Sequence, residues 1–280
     1  MPIFLLLCQI MKIHFYKYQG AGNDFIVVDG RTCARELSQQ EINLLCDRRF
    51  GIGADGLMVV ENASEVDFTM RYYNADGKEG SMCGNGGRCI VAYVAAGNNR
   101  NHWVFSAVDG VHHATVMERG RESQICLGMN DVDKIDFYGD GLFFLNTGSP
   151  HLVLFERDID LLDVSEKGAF WRHHPDFLPE GTNVNFAEMM PDGTLFVRTF
   201  ERGVERETLA CGTGVTAAAI AAYVGSIDKD MGRPKGVHTY HIRTLGGPLQ
   251  VTFKTKGIHF YDVQLTGSAT FVFEGDLEYD

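Results

Sequence analysis

The sequence predicts an α+β chain built as two pseudo-symmetric domains, and three observations carry that expectation. A Cys-Gly-x-Gly turn occurs twice, at Cys83-Gly84-Asn85-Gly86 and at Cys211-Gly212-Thr213-Gly214. Gly20 precedes Cys83 by 63 positions and Gly148 precedes Cys211 by the same 63, so both turns fall at one place in a duplicated unit. Each turn follows strand-rich sequence and opens a helix-forming run, IVAYVAAG in the first copy and VTAAAIAAYVG in the second. Two copies are too few for a solenoid, but they suffice for a pair of domains with a cleft between them, a favoured place for a small-molecule site.

Taken in order, KIHFYKY (12–18) alternates polar and apolar residues as a half-buried strand does. QGAGND reads as a loop and FIVVD as a buried strand. Ser38 and Glu41 form an S-x-x-E capping box, which predicts a helix running to about Phe50. GIGADG turns into the strand LMVVE, and VDFTMRYY is a strand ended by the Asp76-Gly77 turn. The first helix opens at Cys83 and stops at a glycine. Short strands fill Trp103 to Leu145, and FFLNTGSPHLVLF reads as strand, loop, strand. A short polar helix is expected over about 158–168. VNFAEMM and TLFVRTF are strands joined by a Pro191-Asp192-Gly193 turn. The alanine-rich second helix again ends at glycine, and strands complete the chain. No linker-like tract separates the halves, so any domain boundary is a short connection.

Composition narrows the function. A chain of 280 residues can bury a full core. Its formal net charge of −12 argues against nucleic acid as a partner. Seven cysteines, an odd number with no C-x-x-C pair, point away from a disulfide framework or structural zinc and toward reduced thiols in a cytoplasm. Cys33, Cys46, Cys89 and Cys126 read as small packed hydrophobes. His112-His113 and His173-His174 have no partner at metal-ligand spacing and read as surface or loop residues, so no metal is expected. Residues 1–10, MPIFLLLCQI, lack a basic n-region and are too short to span a bilayer. Met11 opens the first clean strand pattern, so residues 1–10 are expected to be a leader or a mistaken start, and no membrane span is expected.

A cysteine between a strand and a helix sits where free N–H groups and the helix dipole favour negative charge. Its pKa is expected to fall from about 8.5 toward neutrality. The glycines admit a ligand to the backbone, whose N–H groups can hold a carboxylate. Abstracting the α-proton of an amino acid requires strong support for the carboxylate as it becomes enolate-like. Inversion requires a base on one face of the carbon and an acid on the other. Two thiols from mirrored domains, Cys83 and Cys211, meet that requirement without an organic cofactor.

At these residues the sequence closely resembles the diaminopimelate epimerase family, whose members interconvert LL- and meso-2,6-diaminopimelate. The resemblance runs from Met11 along nearly the whole chain and rests on Gly20 to Phe25, Tyr73 to Gly77, Met82 to Cys89, Asn183 to Phe186, Glu201 to Gly203 and Ala210 to Gly214. It implies a mixed eight-stranded barrel around a central helix in each domain. It also implies domains over 11–130 and 131–267, with 268–280 returning to the first. Cys83 and Cys211 fall on the catalytic pair. Gly84, Asn85, Gly212 and Thr213 fall on the turns holding the reacting carboxylate, and Asn23 on a substrate contact. Asn74, Asn183 and Arg202 fall on the grip for the distal carboxylate, and Glu201 on a group near the distal amine. His151 and Glu201 fall on residues that tune the thiols, a nearby imidazole favouring a thiolate. Many relatives carry Gln where this chain has Gly56 and Asn where it has Ser149, which changes the shape of the pocket. The resemblance implies no cofactor and a place in lysine and peptidoglycan precursor synthesis; whether the chain forms a homodimer is left open.

Three alternatives compete. A proline or hydroxyproline racemase shares the two-thiol logic but has no distal zwitterion to hold, which Asn74, Asn183 and Glu201-Arg202 oppose. A thiol redox protein would pair Cys83 with Cys211, against the absence of C-x-x-C. A binding module that has lost activity would not need both cysteines.

Overall fold

The computed structural model describes residues 11–32, 35–80, 82–139, 141–226 and 236–279. The leader reading for residues 1–10 and the packing of Cys33 lie outside them. In chain order the elements are β1 (Met11–Gly20), β2 (Asn23–Asp29), α1 (Gln39–Cys46), β3 (Gly56–Glu61), β4 (Phe68–Asn74), α2 (Gly84–Ala95), β5 (His102–Ala107), β6 (Gly110–Glu118), β7 (Glu122–Gly128), β8 (Ile135–Gly139), β9 (Leu142–Asn146) and β10 (Pro150–Phe155). They continue with α3 (Val164–Arg172), β11 (Asn183–Met189), β12 (Leu195–Glu201), β13 (Arg206–Thr208), α4 (Gly212–Ser226), β14 (Val237–Thr244), β15 (Gly247–Lys256) and β16 (His259–Tyr279). Among the described residues no helix is long and apolar enough to cross a membrane.

The strands form two barrel-like sheets that share one strand. In the first half the order is β1-β2-β3-β4-β5-β6-β7-β16, and β16 pairs back with β1 to close the ring. In the second half the order is β8-β9-β10-β11-β12-β14-β15-β16, with β13 paired outside β12. A bridge between Val132 and Phe260 draws the chain before β8 onto β16. Parallel pairs recur at matching places, β2 with β3 and β4 with β5 in one half, β10 with β11 and β12 with β14 in the other. From Ser268 onward β16 leaves β15, runs beside β7 and then along β1.

A helix fills each barrel. Ile90 and Val91 of α2 pack with Phe25, Val27, Met58 and Phe105. The alanines of α4 pack with Val153, Val197, Val251 and Phe260, and α4 is buried on every side from Val215 to Tyr223. A helix apolar all round belongs inside a core, and small side chains let a ring of strands close on it. The run FIVVD has both faces covered: Phe25 and Val27 meet α2, while Ile26 and Val28 meet Ile42 and Leu45 of α1. In the second half Val153 meets α4, while Leu152 and Leu154 meet Val164 of α3. This double coverage is why these strands read as unbroken apolar runs.

Four element boundaries differ from expectation. The loop QGAGND contracts to a two-residue turn, with Ala21 and Gly22 at φ 51° and 80° and Gly20 paired to Asn23. α1 stops at Cys46, because the Asp47 carboxylate accepts from the backbone N–H of Arg49 and Phe50 and turns the chain. The polar helix expected over 158–168 is a 3₁₀ turn at Ile159–Leu161 followed by α3, which starts where the Asp163 side chain caps the Glu166 N–H. α4 passes through Gly225 to Ser226 rather than ending at the glycine.

Candidate active site

The N-termini of α2 and α4 meet between the halves. Cys83 is the N-cap of α2 at φ −101°, ψ 122°, and lines the cleft. Cys211 immediately precedes α4. The first helical bonds run from Gly87 N–H to Cys83 C=O at 2.7 Å and from Val215 N–H to Cys211 C=O at 2.9 Å. The N–H groups of residues 84–86 and 212–214 therefore have no helical acceptor. The two helix ends stand close: a methyl on Gly212 would be 3.5 Å from Gly84 Cα, an ordinary contact, and 2.9 Å from Leu265 Cδ2, the end of a flexible side chain. Around this junction lies a cleft of about 930 Å3, lined from the first half by Asn23, Asp55, Tyr72 and Asn74 and from the second by Ser149 and Asn183. Glu201, Arg202 and Thr213 also line it.

The two thiols have different neighbours. The Cys83 thiol lies 3.7 Å from Asn23 Oδ1. Asn23 Nδ2 donates to Asp55 at 2.7 Å, which turns the amide oxygen toward the thiol. Asp55 is tied in turn to Arg48, which also holds Asp24. Lys17 bonds Asp24 at 2.8 Å and the Gly53 carbonyl. Against the cost of burial, the Arg48 and Lys17 contacts hold the Asp24 carboxyl down at about 2. Cys211 Sγ lies 3.4 Å from Thr213 Oγ1, which lies 2.9 Å from His151 Nε2. His151 Nδ1 faces Asn185 Nδ2 at 3.1 Å. That amide nitrogen also donates to the Leu152 carbonyl, while Asn185 Oδ1 accepts from Thr199. The imidazole therefore accepts at Nδ1 and carries its proton on Nε2, which faces the Thr213 and Ser149 hydroxyls, each at 2.9 Å.

Three electrostatic expectations are corrected. Both thiols are raised, not lowered. Burial is the main cause at each, and the Glu201 carboxylate adds to it. The N–H groups of Gly86 and Asn85 at Cys83, and of Gly214 at Cys211, work against this without overcoming it. His151 supplies no positive charge, since burial, with the Arg202 charge, lowers it to about 3. His112 is not a surface residue: it is 7% exposed, stacks on Phe105 and bonds Asp109 at 2.9 Å.

The remaining predicted residues divide into free and committed groups. Among the described residues Arg202 has no carboxylate partner and bonds only the Glu180 carbonyl, at 3.4 Å, through its guanidinium. Asn74 is exposed and lines the cleft, with its side-chain amide unbonded among the described residues. Asn183 is buried and engaged: Nδ2 donates to Ser149 Oγ and to the Pro150 carbonyl, and Oδ1 accepts from the Arg202 N–H. Asn85 likewise donates to the Ala210 carbonyl at 3.0 Å across the halves and accepts from Arg88 at 2.9 Å. Only the backbone of Asn85 is left for a ligand. Cys46 and Cys89 are buried thiols pushed up to about 12, as packed hydrophobes should be.

Four residues were not singled out from sequence: Asp55, Tyr72, Arg88 and Asn185. Asn185 carried a usable signal, being polar and on the inward face of an otherwise apolar strand. Arg88 carried one as a charge inside a helix-forming apolar run; it is fully buried and bonds Gly84, Asn85 and Ser268.

A profile of the diaminopimelate epimerase family matches residues 15–134 and 143–272. The chain belongs to the diaminopimelate epimerase family. Its members are isomerases, and the two matched segments follow the two halves of the fold. The diaminopimelate epimerase of Flavobacterium psychrophilum is 44% identical over 261 residues, 92% of this chain and 98% of that one. The diaminopimelate epimerase of Aquifex aeolicus is 38% identical over 281 residues, 95% and 98% of the two chains. The fold extends further. A PhzF-family phenazine biosynthesis protein from Bacillus anthracis superposes with a TM-score of 0.75 at 14% identity, covering 95% of this chain and 99% of that one. A hydroxyproline epimerase from Agrobacterium vitis superposes with a TM-score of 0.67 at 16% identity, covering 96% and 93%.

Proposed function

We propose that this chain interconverts LL- and meso-2,6-diaminopimelate, with Cys83 and Cys211 exchanging a proton at one α carbon. The observation that carries the mechanism is the meeting of two buried helix N-termini, each with a thiol at its mouth, in one cleft. The reacting carboxylate sits against the free N–H groups of Gly84, Asn85, Gly212 and Thr213, which support the charge it gains as the α-proton leaves. One thiol removes that proton and the other returns one from the opposite face. The hydrogen bonding is unequal: the Cys83 S–H faces an acceptor, Asn23 Oδ1, while Cys211 Sγ faces the Thr213 hydroxyl. Each thiol serves as base in one direction of the reaction and as acid in the other. The substrate α-ammonium supplies the positive charge that eases thiol ionisation next to Glu201.

The distal end selects the substrate. Arg202 and Asn74 offer donors for its carboxylate and Glu201 an acceptor for its ammonium. Asn183 acts by holding the Arg202 backbone and Ser149 in place. An amino acid without this second end leaves those groups unpaired and is rejected. The product would feed lysine and peptidoglycan precursor synthesis.

The test is to incubate the reduced protein with LL-diaminopimelate in D2O and follow the α-proton signal by NMR. Loss of that signal with appearance of the meso isomer is the expected result. Exchange of L-proline with diaminopimelate inert would replace this reading with a proline racemase, and inertness toward both would remove the catalytic reading.

A further inference from the structure

We infer that the Tyr72 hydroxyl is a substrate-carboxylate donor that helps set specificity, standing in the space a side chain at position 56 would otherwise occupy. The inference deepens the epimerase reading and rests on it. Tyr72 and Asn74 lie two residues apart on β4 and so share one face. Gly56 on β3 pairs with Asn74, one step diagonal to Tyr72. A Cβ at residue 56 would stand 2.6 Å from Tyr72 Cε2 and 2.8 Å from its Oη, and 2.6 Å from the Tyr73 carbonyl oxygen. A Cβ at Gly80 would stand 2.9 Å from Tyr72 Cδ1 and Cε1 and 3.0 Å from Asn74 Nδ2. The ring thus passes between two positions that admit only glycine and packs edge-to-face on Phe25, with centroids 6.1 Å apart. Bulk removed at 56 returns as a phenol from the neighbouring strand.

The hydroxyl is unspent. It borders the cleft and, among the described residues, has no hydrogen-bond partner. Burial, with the charges of Cys83, Glu201 and Asp55, raises the phenol well above its ordinary value, so it stays a donor throughout the working range. Asn74 adds a second donor on the same face, an amide that has no partner among the described residues. Two neutral donors side by side suit a carboxylate, and the acceptor a substrate ammonium needs is already present in Glu201. The geometry therefore assigns Tyr72 to a carboxylate oxygen of the bound amino-acid end nearest β4.

The test compares reduced wild type with Tyr72→Phe, which keeps the ring and removes only the hydroxyl. Steady-state epimerisation of diaminopimelate should show KM raised about tenfold with kcat within about twofold, and titration calorimetry should show a matching loss of affinity. An unchanged KM and affinity in an active protein would overturn the inference while leaving the epimerase reading intact. Wild type that neither binds nor turns over diaminopimelate would overturn both. The inhibition constant of 2-aminopimelate, which lacks one ammonium, should carry the same wild-type to Tyr72→Phe ratio; loss of that ratio would move the contact to the ammonium and refute the carboxylate assignment.

Discussion

Cys83 is half-buried and Cys211 buried, and burial together with the Glu201 charge raises both thiols. The proposed exchange needs both, since each would supply what the other cannot from its own face. Cys83→Ala and Cys211→Ala should each lower kcat by about a hundred- to ten-thousandfold while leaving circular dichroism unchanged. Near-wild-type turnover in either would rule out the two-thiol exchange. His151 makes a second prediction with a definite sign. Its folded value of about 3 lies below its ordinary 6.5, so below pH 6.5 the unfolded chain binds a proton that the folded one refuses. The stability due to the neutral imidazole is complete above pH 6.5 and is lost as pH falls toward 3. Thermal midpoints measured from pH 7 to pH 4 should fall less steeply for His151→Gln than for wild type; equal slopes would place the acid sensitivity elsewhere. The duplicated cysteine turns were plain in the sequence because glycine spacing survives in a linear text. The thiol pKa values were not, because the sequence shows the helix end that lowers them and hides the burial that raises them. Tyr72 escaped notice for a related reason: its role depends on a glycine across the sheet, 16 residues away in the chain.

At the scale of elements, strands and helices were legible where pattern and packing agree. The Ser38–Glu41 capping box is formed as read, with Ser38 Oγ accepting from the Glu41 N–H and the Glu41 carboxylate accepting from the Ser38 N–H. The helix end was misjudged because Leu44 and Leu45 continue an apolar period that one aspartate, Asp47, interrupts. α4 shows the converse: its alanines predict a helix on propensity, and the surrounding barrel wall explains why small side chains recur along it beside Val215, Ile220 and Tyr223. Ala218 is fully buried in that wall. Ala218→Leu should cost about 1–3 kcal/mol by overpacking. Urea denaturation would measure it, and a neutral result would mean that α4 has room the packing does not suggest.

Over the whole molecule, β16 joins what the duplication would otherwise leave as two bodies. It completes the first ring while its earlier part belongs to the second, and Asn85 adds a hydrogen bond from the first half to Ala210 of the second. The halves should therefore unfold together. Calorimetry is expected to show one transition with matching calorimetric and van't Hoff enthalpies, and two resolved peaks would show that each ring melts alone. The duplication was visible in the 63-residue spacing. The sharing of a strand was not visible in the residues themselves, since β16 continues one alternating pattern while its neighbours change.

The junction at Gly84 and Gly212 has one more consequence. Each helix end carries roughly half a positive charge, so two like poles face each other across the cleft. An anion lodged between them turns that repulsion into two attractions. Small carboxylates that fit there should then raise the melting temperature even when they cannot react.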